Sequence, residues 1–329
     1  MPNKIMKKRI IYCFSLLLLF ITGCASNDES IVISLNMNTN FPTCTTLENG
    51  NNQKANVILL LGQSNASGAS ITEYLEMNIS NEKFEEYENG YDNVLINFCI
   101  DDQTFSSQGQ FVKTNLECGS GNGFFGPEVG LAEVLSRNYE KTFILKYTMS
   151  GYSLNYHWLN ENKRASIYNA FIIYAQTYLD ALIAANYDIN LSAICWMQGE
   201  SDTTIEKANR YYDNQVSFVS YLREDLKKYS KNEIYFIDAG ISNSPYCEPG
   251  YPIVNKAKEK FGALSPYNIY FSTIDLGFTT TLEPDYNPDL GHYDSLCEIA
   301  LGNKFGEEIV KVISCVNFSK EYNQLTKSN

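Results

Sequence analysis

At 329 residues, with 44% hydrophobic and 13% aromatic residues, the chain has the composition of a globular protein with a sizeable core. Its formal charge of −13 argues against binding nucleic acid or an anionic membrane surface, and leaves neutral glycans open. Tyrosine is abundant at 24, a residue that lines sugar sites and also fills ordinary cores.

Lys4, Lys7, Lys8 and Arg9 form a basic head to the apolar stretch from Ile10 to Ile21. That stretch is short for a membrane span and has the flanks of an export signal. It ends in Ile21-Thr22-Gly23-Cys24, which resembles the lipobox of bacterial lipoproteins. The resemblance implies that Cys24 is lipidated and becomes the new N-terminus. Residues 1–24 then form a signal peptide with its lipobox cysteine, and the chain is exported and lipid-anchored to the bacterial cell envelope, at the outer membrane or cell surface. Residues 25–54 read as a polar tether opening on Ala25-Ser26-Asn27-Asp28-Glu29-Ser30. One α/β domain is expected over 55–318, followed by a tail at 319–329.

Within that domain, short apolar runs predict strands at Val57 to Leu61, Val94 to Ile100, Phe143 to Tyr147, Ala193 to Met197, Ile234 to Ile237 and Ile269 to Phe271. Their apolarity is continuous rather than alternating, as in parallel strands buried on both faces. Helical patterns lie between them. Pro127 to Leu135 starts on a proline, which a first turn tolerates. Arg164 to Ala185 carries Phe171, Tyr174, Ala175, Tyr178 and Leu182 on one stripe. Thr203-x-x-Glu206 reads as a capping box for a helix running to about Tyr229. A last helix spans about Ser295 to Ile313, where Gly302 and Gly306 allow close packing. This alternation predicts a three-layer, doubly wound, flavodoxin-like parallel sheet, with functional residues at the carboxyl ends of its strands.

Of nine cysteines, Cys13 leaves with the signal and Cys24 takes lipid, so seven remain, an odd number. Cys195 lies in an apolar run and reads as a buried thiol, while Cys99–Cys118 and Cys297–Cys315 are candidate pairs by proximity in sequence. No Cys-x-x-Cys or His/Cys ligand spacing appears, which argues against a zinc site.

Four segments carry chemistry. Gly62-Gln63-Ser64-Asn65-Ala66-Ser67-Gly68 follows the first strand, and its glycines permit a tight turn that exposes the Ser64 hydroxyl and presents its amide to an oxyanion. Phe124-Phe125-Gly126-Pro127-Glu128 places a glycine ahead of a helix. Trp196-Met197-Gln198-Gly199-Glu200-Ser201-Asp202 follows a buried strand, with Gln198 able to donate from its amide nitrogen and Glu200 suited to orienting neighbours. Asp289-Leu290-Gly291-His292 gives one of only two histidines a carboxylate at the spacing that reaches its Nδ1. The other, His157, lacks such a partner and reads as a surface or structural residue near Trp158, with substrate contact at the rim as the alternative.

In this order the segments resemble the four blocks of the SGNH hydrolase superfamily. They are most similar to its branch of sialate O-acetylesterases and carbohydrate acetylxylan esterases, over about Asn56 to Ile309. That branch carries Gly-Gln-Ser-Asn, Gly-Pro-Glu, Trp-x-Gln-Gly-Glu-x-Asp and a late Asp-x-x-His. The resemblance implies an SGNH fold and an acyl-enzyme carbohydrate O-acetylesterase acting on acetylated xylan, pectin or sialoglycans, without metal or cofactor. Ser64 would be the nucleophile, His292 the base and Asp289 its orienting acid. The Ser64 and Gly126 amides and the Gln198 side chain would form the oxyanion hole. Gln63, Asn65, Glu200 and Tyr152 would support these residues or meet substrate. Ser150-Gly151-Tyr152 departs from the branch's Gly-Gly-Thr, and the bulky Tyr152 implies a narrower rim or a different sugar. Two other classes stay open on the sequence, a non-catalytic glycan-binding lipoprotein and an SGNH lipase or thioesterase. The intact triad speaks against the first, and Gln198-Gly199-Glu200 in place of Gly-x-Asn-Asp speaks against the second.

Overall fold

The first apolar run forms β1, Lys54–Gly62, and every residue from Val57 to Leu61 is fully buried. Side chains alternate across a strand, so burial of all five means that both faces are covered. That is the three-layer arrangement, here in a computed structural model that describes residues 35–325. The signal segment and Cys24 lie outside the described residues.

Five further strands join β1: β2 (Tyr91–Ile100), β3 (Thr142–Thr148), β4 (Asp188–Met197), β5 (Tyr235–Ala239) and β6 (Asn268–Phe271). They pair in parallel in the order β2-β3-β1-β4-β5-β6. Without β2 this is the flavodoxin-like order, and β2 extends it at one edge. Two short antiparallel strands, Phe105–Ser106 and Val112–Thr114, pair with β2 in turn. The strand order reverses at β1, which puts the crevice where such sheets bind ligands beyond the carboxyl ends of β1 and β4. Those ends are level: Gly62 pairs with both Thr148 and Met197, and Thr148 with Ile100.

The helices that matter are α1 (Ser64–Ser67), α2 (Glu128–Asn138), α3 (Ser166–Ala184), α4 (Ile205–Leu226), α5 (Tyr251–Gly262) and α6 (Ser295–Leu325). Two short helices, Thr72–Asn78 and Asn81–Asn89, and α5 were not anticipated from sequence. α2 and α6 cross at glycines, as expected for Gly302. A Cβ on Gly302 would stand 1.9 Å from the Pro127 carbonyl oxygen, and one on Gly130 would stand 2.1 Å from that of Ile299. On α4, Phe218 packs on Trp196 of β4 with ring centroids 4.7 Å apart, and Trp196 meets Trp158 at 5.2 Å.

Three expectations need correcting. The capping box does not form: the N-cap of α4 is Thr204, and the Thr203 hydroxyl instead donates to the Glu200 carbonyl at 2.9 Å. Residues 35–53, expected within the tether, have no helix or strand yet lie against the domain. Phe41 packs edge-on to Tyr174 at 5.3 Å, and the Tyr178 hydroxyl donates to the Pro42 carbonyl. Scattered apolar residues without a period carried this contact, so no element signal announced it. Finally, Cys99 and Cys118 are free thiols rather than a bridge, and burial pushes both up to about 12. Cys297 is free as well, and the side chain of Cys315 lies outside the described set.

Candidate active site

β1 ends where only glycine fits. Gly62 has φ +150°, and a Cβ there would stand 1.9 Å from the Met197 carbonyl oxygen of the neighbouring strand. The chain then turns directly into α1, a single helical turn closed by Gly68, whose N–H donates to the Ser64 carbonyl at 3.0 Å. Gln63, Asn65, Ala66 and Ser67 are buried, and Ser64 alone of this group reaches the surface.

The second half of the site comes from the far end of the chain. His292 Nδ1 lies 2.7 Å from Asp289 Oδ2, and the Gly291 N–H donates to Asp289 Oδ1 at 3.0 Å. Partial burial raises the Asp289 carboxyl, but the hydrogen bond and charge of His292, helped by the Gly291 and His292 amides, outweigh it. The carboxyl is held below its ordinary value and stays ionised.

Asn65 joins the two halves. Its Nδ2 donates to the Gly291 carbonyl at 3.3 Å, and its Oδ1 accepts from the Tyr293 N–H at 3.1 Å. Those residues flank His292, so one side chain next to Ser64 grips the histidine loop on both sides. Asn65 is fixed in turn by Glu200 Oε1, 2.6 Å from its Nδ2. Burial pushes the Glu200 carboxyl above its ordinary range despite that hydrogen bond. Ser70 adds a second tie, its hydroxyl donating to the Tyr293 carbonyl at 2.6 Å. Asp294 holds the loop's other strand by accepting from the Leu282 and Glu283 amides and the Thr279 hydroxyl. Neither Ser70 nor Asp294 stood out in the sequence.

Two of the expected oxyanion donors are already committed. The Gly126 N–H donates to Glu128 Oε1 at 2.9 Å, and both residues are buried. Gln198 is fully buried; its Nε2 donates to Asp202 Oδ2 at 2.6 Å and lies 3.3 Å from both Gln63 Oε1 and the Tyr152 carbonyl, while its Oε1 accepts from Tyr211. A buried amide that satisfies its own surroundings has no hydrogen left to offer a substrate. Both residues therefore shape the site from behind, and of the three expected donors the Ser64 amide alone is left for the role. Gln63 also serves the frame, its Oε1 accepting from the Ser201 N–H at 3.2 Å. Asp202 accepts from the Leu154 and Asn155 amides, which fixes the segment behind Tyr152.

Ser150 reaches the Ser64 turn, its Oγ 3.2 Å from that of Ser67. Tyr152 is half-buried and packs edge-on to His157 at 4.9 Å. His157 Nδ1 accepts from the Ser153 N–H, and burial with the nearby Lys207 charge lowers its pKa. It closes its own turn, in keeping with a structural role.

Beneath α1 lies an ion pair that carried its own signal, a lysine inside the buried run of β3. Lys146 and Glu128 are both fully buried, with Nζ 2.6 Å from Oε2. Lys146 also donates to the carbonyls of Ser67 and Cys118, each at 2.9 Å. Among the described residues no cluster of metal-ligating side chains occurs.

The sequence from 54 to 311 matches the family model described as carbohydrate esterase, sialic acid-specific acetylesterase. The chain belongs to this family. It is accordingly a carbohydrate O-acetylesterase. No curated protein matches it in sequence. Among solved structures it is similar to NanS, at 14% identity over 80% of this chain and 98% of that one, with a TM-score of 0.58. A protein of Arabidopsis thaliana gives 16%, 78%, 98% and 0.56 in the same terms. A carbohydrate acetylesterase from Xanthomonas citri gives 15%, 77%, 54% and 0.50. At such identities the likeness is one of fold.

Proposed function

We propose that this acetylesterase works through an acetyl-enzyme on Ser64. His292 removes the Ser64 proton as the hydroxyl attacks the acetyl carbonyl, and Asp289 orients the ring and offsets the imidazolium charge. Charge growing on the carbonyl oxygen meets the Ser64 N–H. The sugar hydroxyl leaves with the proton from His292, and water then hydrolyses the acetyl-enzyme by the same route. The observation that carries the reading is Asn65. It bonds the backbone on both sides of His292 while sitting next to Ser64, and His292 keeps Asp289 at 2.7 Å.

For the finer substrate we propose an O-acetylated sialic acid, on the description of the family; acetylated xylan is the competing case. Acetate release from O-acetylated sialic acid and from acetylated xylan decides between them. Release from neither, nor from the ringless ester glyceryl triacetate, overturns the esterase reading. We also propose export and lipid anchoring through Cys24. In the native bacterial host, Cys24→Ser should move the protein out of the membrane fraction; a variant that stays there overturns the anchor.

A further inference from the structure

Beside the histidine loop stands an exposed aromatic side chain. Tyr246 lies on the short turn Pro245–Cys247 and is 61% exposed, while its neighbour Cys247 is fully buried and Ser244 nearly so. The Cys247 N–H donates to the Ser244 carbonyl at 2.9 Å, so the turn is pinned on both sides of the ring. The ring lies against the loop: a Cβ on Gly291 would stand 3.9 Å from Cγ and Cδ1 of Tyr246. Gly291 is the residue before His292 and is held by Asn65. Tyr246 also feels the charges of Glu200 and Asp289. The adjacent Leu290 is 38% exposed and adds apolar surface on the same loop.

A large aromatic on a pinned turn, with only two side-chain torsions, offers flat apolar area at low entropic cost, with a hydroxyl at its rim. The axial C–H face of a six-membered sugar ring is the complementary surface. We propose that Tyr246 is the platform on which the sugar ring of the substrate stacks, holding its acetyl group toward Ser64. This rests on the esterase reading and adds the group that selects a cyclic sugar over an open-chain ester.

The test compares the full chain with Tyr246→Ala and Tyr246→Phe. The ratio of kcat/KM for an acetylated sugar, either O-acetylated sialic acid or acetylated xylotriose, to that for glyceryl triacetate should fall about tenfold in Tyr246→Ala, through KM. Tyr246→Phe, which keeps the ring, should restore it. An equal loss on both esters would make the ring a support of the histidine loop and overturn the platform, as would an unchanged ratio. Titration calorimetry with unacetylated N-acetylneuraminic acid and xylotriose separates this from the chemistry. Weaker binding in Tyr246→Ala supports the platform even if the wild type releases no acetate. Identical binding of both sugars in wild type and Tyr246→Ala overturns it.

Discussion

Ser64→Ala should lower acetate release by about 10⁶-fold while leaving the melting temperature within a degree or two of wild type. The two halves of this expectation have different origins. On the proposed mechanism, covalent catalysis fails without the hydroxyl that forms the acetyl-enzyme, and the turn offers no replacement. Ser67, the nearest other serine of the turn, is fully buried and points its hydroxyl back to the Gln63 carbonyl and to Ser150. The fold should be nearly indifferent, because Ser64 is the one residue of this helical turn that is not buried. Progress curves of acetate release with thermal unfolding of both proteins check this. Retention of more than a hundredth of the wild-type rate would remove Ser64 from the nucleophile's role.

Lys146→Met should destabilise the protein by about 3–5 kcal/mol. Methionine fills much of the lysine's volume, so the loss is electrostatic rather than a cavity. It leaves the Glu128 carboxylate without a counter-charge at zero exposure, and strands the Ser67 and Cys118 carbonyls that the ammonium served. Because Ser67 belongs to the Ser64 turn and Glu128 holds the Gly126 amide, turnover should fall along with stability. Denaturant unfolding of Lys146→Met against the double variant Lys146→Met with Glu128→Gln isolates the charge. The double variant should recover part of the loss, since it removes the unpaired carboxylate. A single variant as stable as wild type would show that the pair contributes nothing net.

Much of the frame was legible in the sequence because it rests on continuous burial. Each expected strand appears, though β4 starts at Asp188 rather than Ala193, and β5 is shifted to Tyr235–Ala239 and leaves Ile234 outside. Ser64 and Gln198 each follow a strand that ends at the same level of the sheet, where the alternation of strands and helices places functional residues. What could not be read was the use of each hydrogen. The sequence offers Gly126 and Gln198 as oxyanion donors, but it does not reveal that Glu128, Asp202 and Tyr211 close around them first. Those choices depend on side-chain rotamers in a buried network, where every donor must find an acceptor. Residues 35–53 failed for the opposite reason: contacts made by isolated apolar side chains leave no periodic trace. Tyr246 sits in a loop of serines, asparagine and proline, where exposure and proximity to Gly291 exist only in three dimensions.

The bond from Asn65 to Gly291 spans 226 residues of sequence. On the proposed roles, the nucleophile is synthesised early and its base arrives almost last. Every shorter version of the chain, ending anywhere before residue 292, holds a serine with nothing to activate it. A polypeptide emerging from the ribosome or threading across a membrane is therefore inert toward esters it meets on the way. On those roles, activity requires the loop that carries His292 to lie against Asn65. The enzyme thus carries its own proof of completion: a working site certifies that the chain between its two ends has folded.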